Sequence, residues 1–210
     1  MLRAVALWGL LLLSLPRVVH AQTPPPPLAR EPASDVAPVF SVGSTELMIT
    51  AGPAFGAEIL HSPGGYRYVL TSFSWGRILT GPVGPGFLRG RFEWAIEAVP
   101  LLAQYAPYDT FGAGVSPLTW RWNFDPHGKL APYMELAGGL LWTQNPVPAQ
   151  TTTANFTAHA SYGVRYFFQD RTAFVASYTF HHISNGNRLD RNPGVNAHMA
   201  LVGFSYFRSR

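Results

Sequence analysis

Two side chains near the end of this chain have the types and spacing for nucleophilic chemistry. In the stretch AFVASYTFHHISNG, His182 and Ser184 stand two residues apart within a run of alternating character. Read as a β-strand, the run puts Phe174, Ala176, Tyr178, Phe180, His182 and Ser184 on one face, and Val175, Ser177, Thr179 and His181 on the other. Residues i and i+2 of a strand are about 6.6 Å apart and point the same way. An imidazole and a hydroxyl so placed can converge to share a proton, with the serine as nucleophile and the histidine as its base. His181 faces the opposite way and cannot serve the same hydroxyl. A His-x-Ser pair recurs often by chance, so its meaning depends on what positions it.

The positioning elements are strands throughout. From Val39 onward the hydrophobic pattern has period two and is broken by Gly, Pro, Asn and Asp clusters, among them HSPGG at 61–65, GPVGPG at 81–86, DPHGK at 125–129 and NGNRLDRNPG at 185–194. Eight strands are predicted, at 44–57, 66–80, 90–104, 111–124, 130–144, 155–169, 172–184 and 196–208. Alternating segments of ten or more residues between turns are what an all-β, eight-stranded antiparallel transmembrane β-barrel requires. An even count lets the sheet close, and hydrocarbon leaves no partner for an open edge. Eight strands enclose a space that side chains fill, so a wall is expected and not a pore.

The faces agree with that arrangement. Phe92, Trp94 and Ile96 alternate with Glu93, Ala95 and Glu97; Trp120 and Trp122 flank Arg121; Met134 and Leu136 flank Glu135; Val164 and Tyr166 flank Arg165. The expected lumen therefore holds Glu93, Glu97, Glu135, Arg121 and Arg165, pairing with one another because isolated buried charges are expensive. Trp75, Trp94, Trp120, Trp122 and Trp142 are candidates for interfacial girdles.

Composition sets the compartment. Arg3, the apolar run Ala4–Leu15 and Val19-His20-Ala21 form a signal-peptide pattern over residues 1–21. A proline-rich linker, 22–38, precedes a barrel domain at 39–210. Only 12% of residues are charged, about half the share of a soluble domain, so much of the exterior is expected to meet lipid. With no cysteine there is neither a disulfide framework nor thiolate chemistry. Leaving out Arg3 and Arg17, 13 basic side chains face 11 acidic ones, and a single lysine, Lys129, makes no basic patch for nucleic acid. The histidines lack metal spacing, and neither a metal nor a cofactor is expected.

The run HHISNG, followed by NPGVN and a final strand containing GFSYF, resembles the carboxy-terminal signature of the lipid A 3-O-deacylase family, outer-membrane proteins also described as acyloxyacyl hydrolase-like. NFTAHASYGVRYFF, residues 155–168, resembles the strand that precedes it there. The likeness is close over the last two or three strands and rests on strand rhythm before them. It implies a bacterial outer-membrane enzyme that hydrolyses the ester-linked acyl chain at the 3-position of lipid A, from a site facing the bilayer. Lipid A, as part of lipopolysaccharide, and the surrounding lipid are then the partners, and a homodimer is left open. By this resemblance His182 is the general base and Ser184 the nucleophile. Asn192 helps to stabilise the oxyanion, with Asn185 as a second donor and the Gly186 or Asn187 backbone N–H completing the hole. Asn and Gly also suit a turn for its own sake.

In one position the chain departs from the family pattern. Two residues after NPG the family has a glutamate that orients the histidine; here Asn196 stands, on a face shared with His198, Ala200 and Val202. An amide oxygen can accept the histidine N–H, but it brings no negative charge to an imidazolium. His198 and Asp190 are candidate substitutes. The departure leaves three readings: a serine-type ester hydrolase, a weak or inactive barrel with a structural or interaction role, and an acyl transferase.

Overall fold

The computed structural model describes residues 36–188 and 190–209. The expected signal peptide and residues 22–35 of the expected linker lie outside the described residues. Eight strands follow one another: β1 (Thr45–Ala57), β2 (Arg67–Ile78), β3 (Gly90–Ala106), β4 (Thr110–Phe124), β5 (Leu130–Thr143), β6 (Ala154–Gln169), β7 (Thr172–Ser184) and β8 (Val195–Arg208). Each pairs antiparallel with the next, and β8 returns to β1 in a closed barrel. The ends depart from the sequence-based expectation by no more than two residues. Gly and Pro stop the ladders where they were expected to, because neither residue favours a strand interior.

Alternation then sorts the side chains. Trp75, Trp120, Leu136, Trp142, Phe174, Tyr178 and Phe204 are exposed on the outer wall. Trp75, Trp94, Trp120 and Trp122 sit toward the end that carries the termini, and Trp142 near the far end. Inside, the five charged residues expected in the lumen are present and joined by Glu46, which the sequence reading had not singled out. Arg165 grips Glu46 through Nε and Nη2, both at 2.6 Å, and also reaches Asn123 at 2.9 Å. Arg121 joins Glu46 at 3.1 Å, Glu93 at 2.9 Å and Ser74 at 2.8 Å, and its Nε donates to Glu135. Ser205 completes the Glu46 carboxylate, and Tyr133 lies 4.3 Å beneath the Arg165 guanidinium. Such a network is tolerable in a dry interior because nearly every lone pair and proton in it is matched.

A 3-10 turn over Ala37–Phe40 closes the lumen at the end that carries the termini. Phe40 is fully buried against Phe167 and Phe207, and Val36 and Val39 pack beside it. Val36–Pro38, assigned to the linker by composition, are thus part of the packed body.

Removing Arg165 takes away two of the charge-assisted bonds of the buried Glu46 carboxylate and leaves it to Arg121 and Ser205. Arg165→Leu is expected to lower stability by about 3–5 kcal/mol, seen as an earlier urea midpoint for the barrel refolded in detergent. An unchanged midpoint would mean that the network contributes nothing to holding the fold.

Candidate active site

The outer wall of β7 reaches the far end of the barrel with Phe180, His182 and Ser184 facing outward, while His181 and Ile183 are buried in the lumen. His181 is occupied there by the Tyr68 hydroxyl at 2.7 Å. Register decides what His182 meets. The β7–β8 ladder sets it opposite Asn196, and β6–β7 sets it opposite Ala158 and Ser184 opposite Phe156. A slip of one residue would turn both groups into the lumen.

His182 and Asn196 are in contact. Nδ1 of the imidazole and Oδ1 of the amide are 2.7 Å apart. Asn196 is 2% exposed despite its outward strand position, because the β1–β2 loop folds over it. Its Nδ2 donates to the Ile59 carbonyl at 2.8 Å, and its backbone N–H donates to Ser62 Oγ at 2.8 Å. With Nδ2 committed to a carbonyl, Oδ1 is an acceptor and Nδ1 must carry the ring proton. In the neutral ring Nε2 is then the bare nitrogen, the arrangement a general base needs. Neither suggested substitute takes this place: His198 is bonded to the Tyr178 hydroxyl, and Asp190 is exposed on the loop.

Ser184 shares the outward face with His182, but among the described residues its hydroxyl makes no hydrogen bond. A nucleophile–base contact commonly tightens only when substrate arrives. In the β7–β8 loop, the Asn185 backbone N–H donates to Asn192 Oδ1 at 3.1 Å, and Asn185 Nδ2 to the Arg191 carbonyl at 2.9 Å. Asn192 Nδ2 donates to Asn187 Oδ1 at 2.9 Å. Both asparagines therefore shape the turn, with one amide proton of Asn192 in reserve. The Gly186 N–H is taken by no described group. Gly186 has φ +64°, and a side chain added there would strike the Phe156 ring. Arg188 lies 5.1 Å over the same ring and bonds the Asn185 carbonyl at 3.0 Å, while Arg191 holds Gln150 at 2.7 Å.

Three features of the site were not foreseen: the bracing loop, a glycine behind the histidine and an apolar trough beside it. The trough follows from register. Leu118, Gly138, Ala158 and His182 form one row across β4–β7, and Trp120, Leu136, Ala160 and Phe180 form the next. Small residues at Gly138, Ala158 and Ala160 leave a channel of about 490 Å³ between taller walls, ending at His182. Only the pairing of four strands brings those positions together, so no local motif announces them.

A closed wall of eight antiparallel strands, apolar on its outer face and carrying an outward His, Ser and Asn at its far end, defines an outer-membrane barrel. The profile of the family Lipid A 3-O-deacylase (PagL) matches residues 54–205, well over half the chain, and the protein belongs to that family. It is a protein of the bacterial outer membrane. Among solved structures, Neisserial surface protein A is similar with TM-score 0.56 and 15% identity over 78% of this chain and 98% of its own. The outer-membrane enzyme PagL gives 0.51 and 10% over 77% and 98%. At these identities the likeness is one of fold. No curated protein matches the chain.

Gly194, at φ +65°, would bring an added Cβ within 2.8 Å of His182 Cε1. Gly194→Ala is therefore expected to move the His182 ring resonances in NMR spectra of the detergent-folded protein while the barrel still forms. Unmoved resonances would show that the glycine does not seat the ring.

Proposed function

We propose that this protein is a serine-type ester hydrolase that removes the 3-O-linked acyl chain of lipid A. The observation that carries this reading is the His182–Asn196 contact at 2.7 Å on the same outward face as Ser184, at the far end of the barrel. In outer-membrane barrels the end opposite the termini faces outside, where the glycolipid headgroups are.

In this mechanism His182 Nε2 takes the Ser184 proton as Oγ attacks the acyl carbonyl carbon. The tetrahedral oxyanion is met by the Gly186 N–H and the spare Asn192 amide proton, donors fixed before the reaction begins. Collapse breaks the bond to the sugar oxygen, which leaves with the proton from His182. A water, deprotonated by the same nitrogen, then cleaves the acyl-enzyme and frees the fatty acid. Asn196 fixes the tautomer but adds no charge to balance the imidazolium, so turnover slower than with a carboxylate partner is expected.

The trough suits the departing chain. A lipid tail entering it trades one hydrocarbon surrounding for another, so the gain is alignment and not hydrophobic affinity. Alignment is what a scissile ester needs. The structural-barrel reading is favoured by the unbonded Ser184 hydroxyl, and the same experiment tests both.

Lipid A from cells expressing the protein should lose one hydroxyacyl chain by mass spectrometry, and Ser184→Ala should abolish that loss, lowering the rate by on the order of 10⁴ or more. Full-length lipid A in both strains, with the barrel inserted, would leave the structural role. A side chain added at Gly138 meets nothing within 4 Å, so Gly138→Leu should fold and fill the trough. Release of long chains should then fall about a hundredfold. If long and short chains are released as before, the acyl tail runs elsewhere.

A further inference from the structure

We propose that the β1–β2 loop is a positioning element for the base: the Ile59 carbonyl fixes which way round the Asn196 amide stands, and the Ser62 hydroxyl, bonded to the Asn196 backbone N–H, holds the loop and that carbonyl in place, so that the loop decides which nitrogen of His182 carries the proton. The consequence for rate rests on the hydrolase reading above, whereas the consequence for the tautomer does not.

The argument begins from a difference between two side chains. A carboxylate offers His182 an acceptor whichever way it is turned, so a glutamate or aspartate needs no help. An amide has an acceptor end and a donor end. Turned over, it presents NH₂ to Nδ1, and the ring must then hold its proton on Nε2, where it blocks proton abstraction. In serine proteases an Asp-to-Asn change beside the histidine yields the wrong tautomer and costs about 10⁴ in rate. A chain that carries Asn at this position therefore needs something to choose its orientation.

The loop supplies that choice. The Ile59 carbonyl accepts from Asn196 Nδ2 at 2.8 Å and from the Ser62 backbone N–H at 3.1 Å. Ser62 Oγ accepts the Asn196 backbone N–H at 2.8 Å and donates to the Gly194 carbonyl at 3.3 Å. Ser62 is itself buried, so neither bond competes with solvent. Reversing the amide would set its oxygen against the Ile59 carbonyl and its NH₂ against the ring. Between these two contacts the chain takes an unusual path. Leu60 and His61, neither of them glycine, have φ of +54° and +66°. Two successive positive φ values with the Ser62-to-Ile59 hydrogen bond mark a primed turn, which ordinarily selects Gly or Asn. Unfavourable backbone of this kind persists where the surroundings hold it in place, and it collects at functional sites. Here the contacts holding it are those made to Asn196 and Gly194.

The test is a double-mutant cycle with a spectroscopic arm. Ser62→Ala, and separately replacement of residues 59–62 by four glycines, are introduced into the parent and into Asn196→Asp. In the parent, kcat for lipid A deacylation should fall about tenfold with KM unchanged. In Asn196→Asp, whose two oxygens are equivalent, the same changes should cost less than about twofold. Equal losses in both backgrounds would make the loop merely structural and overturn the proposal. Independently of activity, ¹⁵N NMR of the detergent-folded protein should find His182 protonated at Nδ1 in the parent and moving toward Nε2 protonation in both loop variants. A tautomer that stays at Nδ1 in both also overturns it. Deacylation that survives Ser184→Ala sinks the hydrolase reading alone, and the tautomer measurement then decides this one.

Discussion

Hydrocarbon neither donates nor accepts a hydrogen bond, so each backbone polar group of a spanning strand must be matched by a neighbouring strand. The closure of β8 on β1 answers that demand, and it makes alternation absolute: at each strand position a side chain faces either the lumen or the lipid. Polar residues are then sorted into two settings. Inside, Glu46, Arg121 and Arg165 saturate one another. Outside, His198 is held by Tyr178 and His182 by Asn196. Among the described residues Ser184 has no such bond. Polar groups at the lipid face are costly and in general functional, and under the hydrolase reading an arriving ester carbonyl gives this one its role.

The two settings also differ in what they ask of charge. In the lumen a carboxylate is stable because guanidinium groups surround it. Beside the Asn196 amide stands the Ile59 carbonyl, which would oppose a carboxylate but welcomes an amide N–H. The amide is therefore the better match to its own surroundings even though it is the weaker partner for an imidazolium. Under the hydrolase reading, stability of the resting site and stabilisation of the charged intermediate pull in opposite directions, and this chain is built toward the first.

What the sequence disclosed divides along the same physical line. Period-two alternation and turn residues are local signals, and they gave all eight strands, the outward Phe180–His182–Ser184 face and the inward Glu93, Glu97, Glu135, Arg121 and Arg165. The meeting of His182 and Asn196 was also legible, because a hairpin constrains residues close in sequence. Glu46 was missed because its partners, Arg121 and Arg165, are 75 and 119 residues away. The turn at Ala37–Phe40 was hidden by prolines that read as linker until Phe40 found Phe167 and Phe207. HSPGG read only as a break, and nothing in it announces that Ser62 reaches Asn196.

That last contact joins the two ends of the barrel's sequence. Asn196 pairs with His182 across β7–β8 and with Ala57 across β8–β1, so it sits on the seam where the sheet closes. The hairpin alone can bring the histidine and the asparagine together. The Ile59 carbonyl, which sets the sense of the amide, and the Ser62 hydroxyl, which holds the loop on the Asn196 backbone, come only with β1. A chain with β7 and β8 formed but the seam open would hold His182, Ser184 and Asn196 and still lack a defined tautomer. On the reading proposed above, correct protonation of the base is then a property of the closed barrel and not of the hairpin that carries it, which would tie the chemistry at the far end to completion of the wall in the membrane.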